Sequence, residues 1–281
     1  MARFALSPRR LGYRFNAVGM IGLSVIVLWA TVAVFAPLLI PYPIGDIVDY
    51  DYFGPMSAQF LLGTDYLGRD MLSRILMGAR YTVGISLAAV ALACFSGVAL
   101  GMSAAVAGGW FDAILSRFLD ALNSIPSKLF GLVVVAAVGS SMPVLVLTLA
   151  VIYTPGSYRF ARALAVNINS MDFVTVARAR GEKTLYLIGS EILPNILGPV
   201  LADLGLRFVF IVLLLSGLSF LGLGVQPPNA DWGALVRENI GGLPFGAPAV
   251  MVPSLAIASL TISVNMLIDN LPVKIRDRSN G

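Results

Sequence analysis

From Asn16 to Ile40 the chain carries no charged residue, and from Tyr81 to Ala107 it again carries none. A run of about 20 apolar residues is the length that crosses the hydrocarbon core of a bilayer. There, only helices and closed barrels satisfy their own backbone groups. These runs point to an all-α integral membrane protein. With 58% hydrophobic and only 12% charged residues and a mean hydropathy of +0.86, the chain falls far from the roughly 25% charged residues of a soluble domain. Its 281 residues divide into about six transmembrane helices.

The first run follows Arg3, Arg9, Arg10 and Arg14. It exceeds the roughly 7 to 15 apolar residues of a secretory signal core and lacks a small-residue cleavage site, so it is expected to stay as a span. The sequence predicts a cytoplasmic N-terminal segment at 1–15, a first transmembrane helix at 16–40 and an extracytoplasmic loop at 41–80. Pro41 and Pro43 open that loop, which carries Asp46, Asp49, Asp51, Asp65 and Asp70. A core domain at 81–271 follows, with a second span from Tyr81 to Ala107 and an amphipathic stretch around Asp112, Arg117 and Asp120. A hairpin of Ile125 to Val138 and Pro143 to Tyr158 turns at Gly139-Ser140-Ser141. After a polar segment at 158–195 come a fifth span from Ile196 to Val225, a sixth from Ala249 to Leu271, and a cytoplasmic tail at 272–281.

Cytoplasmic loops hold the excess of Lys and Arg. With the N-terminus inside, the inner segments hold the four N-terminal arginines, Arg117, Lys128, Arg159, Arg162, Arg178, Arg180, Lys183, Lys274, Arg276 and Arg278. The outer loops hold only Arg69, Arg74, Arg80 and Arg237. Both termini are therefore expected in the cytoplasm. The net charge of +4 is spread over span ends and forms no basic stripe, which argues for membrane orientation and against a nucleic-acid partner. With no histidine, His-dependent triads and the common His-containing zinc sites are excluded. Cys94 is the single cysteine, so an intrachain disulfide is impossible and a cysteine-based metal site is disfavoured. No catalytic, cofactor-binding or metal-ligating residue is expected.

Within the polar segment, Asp172 to Gly181 has the signals of a short helix. Asp172 lies at its positive end, Arg178 and Arg180 lie near its negative end, and Gly181 is placed to stop it. Phe173, Val176 and Ala177, at i, i+3 and i+4, are expected to share an apolar face that suits a partner groove or the ends of the chain's own bundle. Asp65 and Asp70 are expected to cap the helix beginning near Arg69. Asp203 and Arg207, at i and i+4 inside the fifth span, can neutralise one another, and Asn265 and Asp269 repeat that spacing in the sixth. Intramembrane charges make both pairs candidates for a translocation path, beside a purely structural role. Gln226, Trp232, Arg237 and Glu238 offer a face for an extracytoplasmic docking protein.

The segment Thr175-Val176-Ala177, Gly181 and Ile192-Leu193-Pro194-Asn195 resembles the cytoplasmic coupling loop of binding-protein-dependent ABC importer permeases. Thr175 stands where that family usually has Glu, Val176 where it has Ala, Arg180 where it has an apolar residue, and Glu191 where it often has a basic one. Two further stretches, Leu62 to Arg74 with Gly78-Ala79-Arg80, and Ser219 to Pro228 with Trp232-Gly233, are similar to the dipeptide, oligopeptide and nickel permeases of the second-subunit type. The resemblance covers nearly the whole chain. It implies a type I ABC importer permease fold in a bacterial cytoplasmic membrane and a translocation pathway for short peptides or a related small solute.

It also implies partners: a second homologous permease subunit, two ATPase subunits outside the bilayer and an extracytoplasmic substrate-binding protein, with membrane lipid around this chain. Asp172, Phe173, Thr175, Val176, Ala177, Arg178, Arg180 and Gly181 become the residues expected to couple to the ATPase. No lysine here follows a glycine, so the chain lacks the phosphate loop that an ATPase needs, and ATP and Mg are expected on partner subunits. The rival function, a stand-alone ion-coupled transporter or channel, would draw on Asp203 and Asp269 as a proton relay.

Overall fold

The computed structural model describes residues 17–245 and 248–270. The expected terminal segments 1–15 and 272–281, with their arginines and lysine, lie outside the described residues. Helix α1, Ala17–Leu39, is apolar around its whole circumference, as a helix facing lipid and bundle together must be. Helix α2, Met71–Ala107, starts earlier than the apolar run at Tyr81. Asp70 caps it as expected, with Oδ2 accepting from the Ser73 backbone N–H at 2.8 Å and from its hydroxyl at 2.6 Å. Arg74, which made that stretch read as loop, is consumed by buried partners.

Helices α3, Gly109–Asn123, and α4, Ser127–Val138, meet at Pro126 with an 82° bend. The expected third span is thus a broken one. Helix α5, Met142–Asn169, continues well past Tyr158 because α3 absorbs its charges. Asp112 holds Arg162 through both carboxylate oxygens at 2.5 Å, and Asp120 holds Arg159 at 2.6 Å. Helix α6, Asp172–Ala179, and α7, Thr184–Tyr186, lead through a π-helical turn, Leu187–Ile192, into α8, Leu193–Phe220. Helix α9, Trp232–Asn239, passes through a 3-10 turn, Ile240–Phe245, toward α10, Pro248–Asp269.

Among the described residues, five helices are long and apolar enough to cross a membrane, or six if the α3–α4 pair is one span. The α2–α5 contact is the most extensive in the bundle, α1 covers α2 and α10, and α8 packs against α2, α5 and α10. The main core joins Met71, Leu145, Leu149, Ile211, Leu215 and Trp232. At 1.5 Å per residue, the 37 residues of α2 extend about 55 Å, well beyond a hydrocarbon core of about 30 Å. The two ends of α2 therefore carry two separate polar assemblies, α9 with the 41–70 loop at its start and α6 at its finish.

Candidate functional site

Helix α6 has two faces with different partners. Val174 and Ala177 are fully buried and pack on Leu187, Val106 and Ile168. Phe173 and Val176 point away and are 37% and 57% exposed, and Asp172, Thr175, Arg178 and Arg180 are exposed with them. The expectation that Phe173, Val176 and Ala177 share one face is thus corrected. Ala177 belongs to the inward face with Val174, because Leu187 returns beneath the helix and occupies the site they line.

Gly181 ends α6 as its position predicts. Its φ is +85°, a conformation open to glycine but strained for side-chain-bearing residues. Its N–H donates to the Arg178 carbonyl at 3.0 Å, while the Glu182 N–H donates to the Ala177 carbonyl at 3.2 Å. Both bonds of a Schellman stop are present. Arg178 donates to the Asn169 side chain at 2.9 Å, which leaves Arg180 and the two apolar side chains uncovered. Leu185, just beyond the stop, is 84% exposed. Helical spacing on α6 alone did not include it.

The opposite end of α2 is built on buried charge. Asp65 Oδ2 accepts from Arg69 Nε at 2.7 Å and from Arg74 Nη1 at 2.5 Å, and Glu238 of α9 accepts from Arg74 Nη1 at 2.7 Å and Arg69 Nη2 at 3.1 Å. None of the four side chains is more than 6% exposed. Asp65 was expected as a cap and Glu238 as part of a docking face. Both are corrected to members of this cluster, which ties the loop before α2 to α9. Asp65 Oδ1 accepts instead from the N–H groups of Leu67 and Arg69, at 2.8 and 2.9 Å.

Asp231 caps α9 and accepts from Gly233 and Ala234 N–H at 2.8 and 3.3 Å, from Val225 N–H at 3.2 Å and from the Ser219 hydroxyl at 2.7 Å. Burial pushes its carboxyl above the usual carboxylate range, and these four donors oppose that shift. Trp232, expected at the docking face, is fully buried. Its indole N–H donates to the Ile75 carbonyl at 3.1 Å and its ring meets Trp29 edge-on at 4.7 Å. Its bulk fills the contact between α9, α1 and α2, so it has no surface to offer. Gln226 and Arg237 do remain exposed, with the Gln226 amide donating to the Gly222 and Gly224 carbonyls at 3.1 and 2.9 Å.

Asp203 and Arg207 form the expected pair, with bonds of 2.6 and 3.0 Å and side chains 14% and 13% exposed. The guanidinium lies against Gly156 of α5. Asn265 and Asp269 are not joined by a hydrogen bond among the described residues, and Asp269 is exposed. An apolar groove of about 560 Å³ opens between α8, α9 and α10, lined by Leu213, Ser216, Phe220, Val236, Ile257 and Thr261 among others. None of Asp203, Arg207, Asn265 and Asp269 lines it.

Residues 97–277 match the family described as binding-protein-dependent transport system inner membrane component. The dipeptide transport system permease protein DppC of Alkalihalophilus pseudofirmus is 31% identical over 95% of this chain and 89% of that protein. The glutathione transport system permease protein GsiD of Pectobacterium atrosepticum is 34% identical over 89% of this chain and 83% of its own length. For the dipeptide transport system permease protein DppC of Haemophilus influenzae the identity is 32%, over 92% and 90%. A crystal structure described as an amino acid ABC transporter with histidines superposes on 71% of this chain and 91% of its own, with a TM-score of 0.50 and 16% identity. At that identity the likeness concerns the fold.

Proposed function

We propose a function for this chain from one premise: it belongs to the family of binding-protein-dependent transport system inner membrane components. It is the permease subunit of an ATP-driven importer, a multi-pass membrane protein. Our reading is that α6 is its coupling element. Phe173, Val176 and Arg180 enter a cleft of an ATPase subunit, flanked by Asp172, Thr175 and Arg178, while Ala177 and Gly181 hold the helix in the pose that presents them.

The observation that carries this reading is the division of α6 into a fully buried face and an uncovered one within a single eight-residue helix. Phe173 and Val176, uncovered beside Arg180, form a small apolar face of the kind that a partner groove receives. In this reading two ATPase subunits bind ATP and Mg, a second homologous permease completes the pathway, and an extracytoplasmic binding protein delivers the solute. Both termini and α6 are cytoplasmic and the α9 end faces outward, across a bacterial cytoplasmic membrane. The relatives named for dipeptides and glutathione favour short peptides as solute.

ATP closes the ATPase pair, α6 moves with it, and the pathway changes its open side. Asp203 and Arg207 act as a structural clamp between α8 and α5, since the pair is self-neutralised and lies outside the groove. The test is Gly181→Trp, with deletion of Phe173 to Arg180 as the stronger variant. Both are expected to abolish uptake by the reconstituted transporter while ATP hydrolysis persists. Undiminished uptake in either contradicts the assignment.

A further inference from the structure

The loop between α1 and α2 ends in an uncovered aromatic tip. Tyr50 is 97% exposed, Tyr52 74% and Ile47 64%. Among the described residues neither tyrosine has a hydrogen bond or a ring contact. Large apolar rings held in water are the usual anchors of a protein interface.

The tip is firmly held on both flanks. The N–H groups of Val48 and Asp49 both donate to the Gly68 carbonyl at 3.0 Å, and the Phe53 N–H donates to the Asp65 carbonyl at 3.1 Å. The Thr64 hydroxyl donates to the Asp51 carbonyl at 3.1 Å and accepts from the Gly54 N–H at 2.8 Å. Gly68, at φ +77°, meets the Asp49 carbonyl so closely that a Cβ would collide with it. Residues 64–68 in turn hang on the buried Asp65 cluster. The backbone that carries the rings is therefore set in advance of binding, which leaves only the ring torsions to be ordered at an interface.

Charge identifies what fits them. From Ile40 to Gly68 there is no lysine or arginine, and Asp46, Asp49 and Asp51 flank the rings. An anionic membrane surface would be repelled by such a face. A protein with a basic rim and apolar pockets is complementary, by charge steering and by cation–π contact. The family description itself requires a binding protein, and of the four residues that the sequence offered for it Trp232 is buried and Glu238 is held in the ion cluster, which leaves only Gln226 and Arg237 exposed.

We propose that the tip from Ile47 to Tyr52 is the surface on which the extracytoplasmic binding protein docks, through a basic patch with pockets for Tyr50 and Tyr52. The proposal rests on the reading above that the α9 end faces outward.

The test uses the whole transporter in nanodiscs and the binding protein that stimulates its ATP hydrolysis, with association followed by surface-immobilised kinetics. Y50A/Y52A is expected to weaken Kd roughly tenfold or more, mainly through dissociation, and Y50F/Y52F to retain affinity. D46N/D49N/D51N is expected to slow association and flatten its dependence on salt. Basal ATP hydrolysis without the binding protein should stay unchanged in all three and reports intact assembly. Wild-type kinetics and salt dependence in both the alanine and asparagine variants overturn the proposal. So does normal binding-protein affinity with loss of the second permease or of vesicle association, which would make the tip a permease or lipid contact. The orientation is tested separately. Tyr50→Cys in a Cys94→Ser background should react with an impermeant thiol reagent on intact cells, and failure to react there refutes the orientation reading itself.

Discussion

At the start of α2, Asp65, Arg69, Arg74 and Glu238 neutralise one another away from water, whereas beyond its finish Asp172 and Arg178 of α6, with Arg180 just past its end, are exposed. The first assembly answers its own charges and fixes a loop and two helices in one geometry. The second answers only its apolar inward face. Charge resolved inside the chain marks an interlock, and charge and apolar area left unresolved are where the proposed function places another protein. On that basis the two ends should respond oppositely to mutation, one in stability and the other in coupling.

The largest stability effect is expected at the interlock. Arg74→Ala removes the cation shared by Asp65 and Glu238 and should cost about 3–5 kcal/mol, since a buried charge is left uncompensated. The check is denaturation of the purified protein in mixed micelles, and a loss under about 1 kcal/mol would mean that the cluster behaves as a solvated surface pair. Next comes Asp231. Asp231→Ala strips acceptors from the Ser219 hydroxyl and from several N–H groups of the α9 cap, at about 1–3 kcal/mol.

Asp231 also predicts a pH slope. Because its carboxyl is raised in the folded state, its contribution is fully present below the unfolded value of about 3.9. That contribution is lost as pH rises through the folded value. Asp231→Asn should remove this component from the pH dependence of the melting midpoint, and an unchanged profile would show that the carboxyl does not titrate upward. A smaller effect is expected where α3 meets α5. Asp112→Asn should cost about 1 kcal/mol or less, since its partner Arg162 is 36% exposed.

At the far side of the comparison, Val176→Asp should leave stability within about 0.5 kcal/mol yet abolish ATP-driven uptake. A large stability loss there would mean that the outward face of α6 is packed by its own chain after all.

What the sequence revealed divides along the same line. Features carried by near neighbours were readable: the Asp70 cap, the Asp203–Arg207 pair at i and i+4, and the Gly181 stop. The uncharged runs located most of the spans, because hydrocarbon length is a constraint on the chain itself. Features made by distant residues were not readable. Trp232 looked like a contact residue because nothing nearby shows that Ile75 and Trp29 will enclose it. Asp65 looked like a local cap because Glu238 and Arg74 reach it only after folding. Ala177 reads as sharing a face with Phe173 and Val176 because Leu187, which covers it, lies beyond the helix stop. The 82° bend between α3 and α4 was likewise hidden, since Pro126 marks a break without giving its angle.

The most direct measurement sets neighbouring residues of α6 against each other. In a Cys94→Ser background, Val176→Cys and Ala177→Cys are placed one at a time in the assembled transporter and treated with a short crosslinker that reacts with the introduced thiol at one end and with amines of the neighbouring subunit at the other. Val176→Cys should form an adduct with the ATPase subunit and Ala177→Cys should not, because its side chain faces Leu187. An adduct at 177 equal to or stronger than that at 176, or none at 176 in a transporter that still couples hydrolysis to uptake, would contradict the division of α6 on which the account depends.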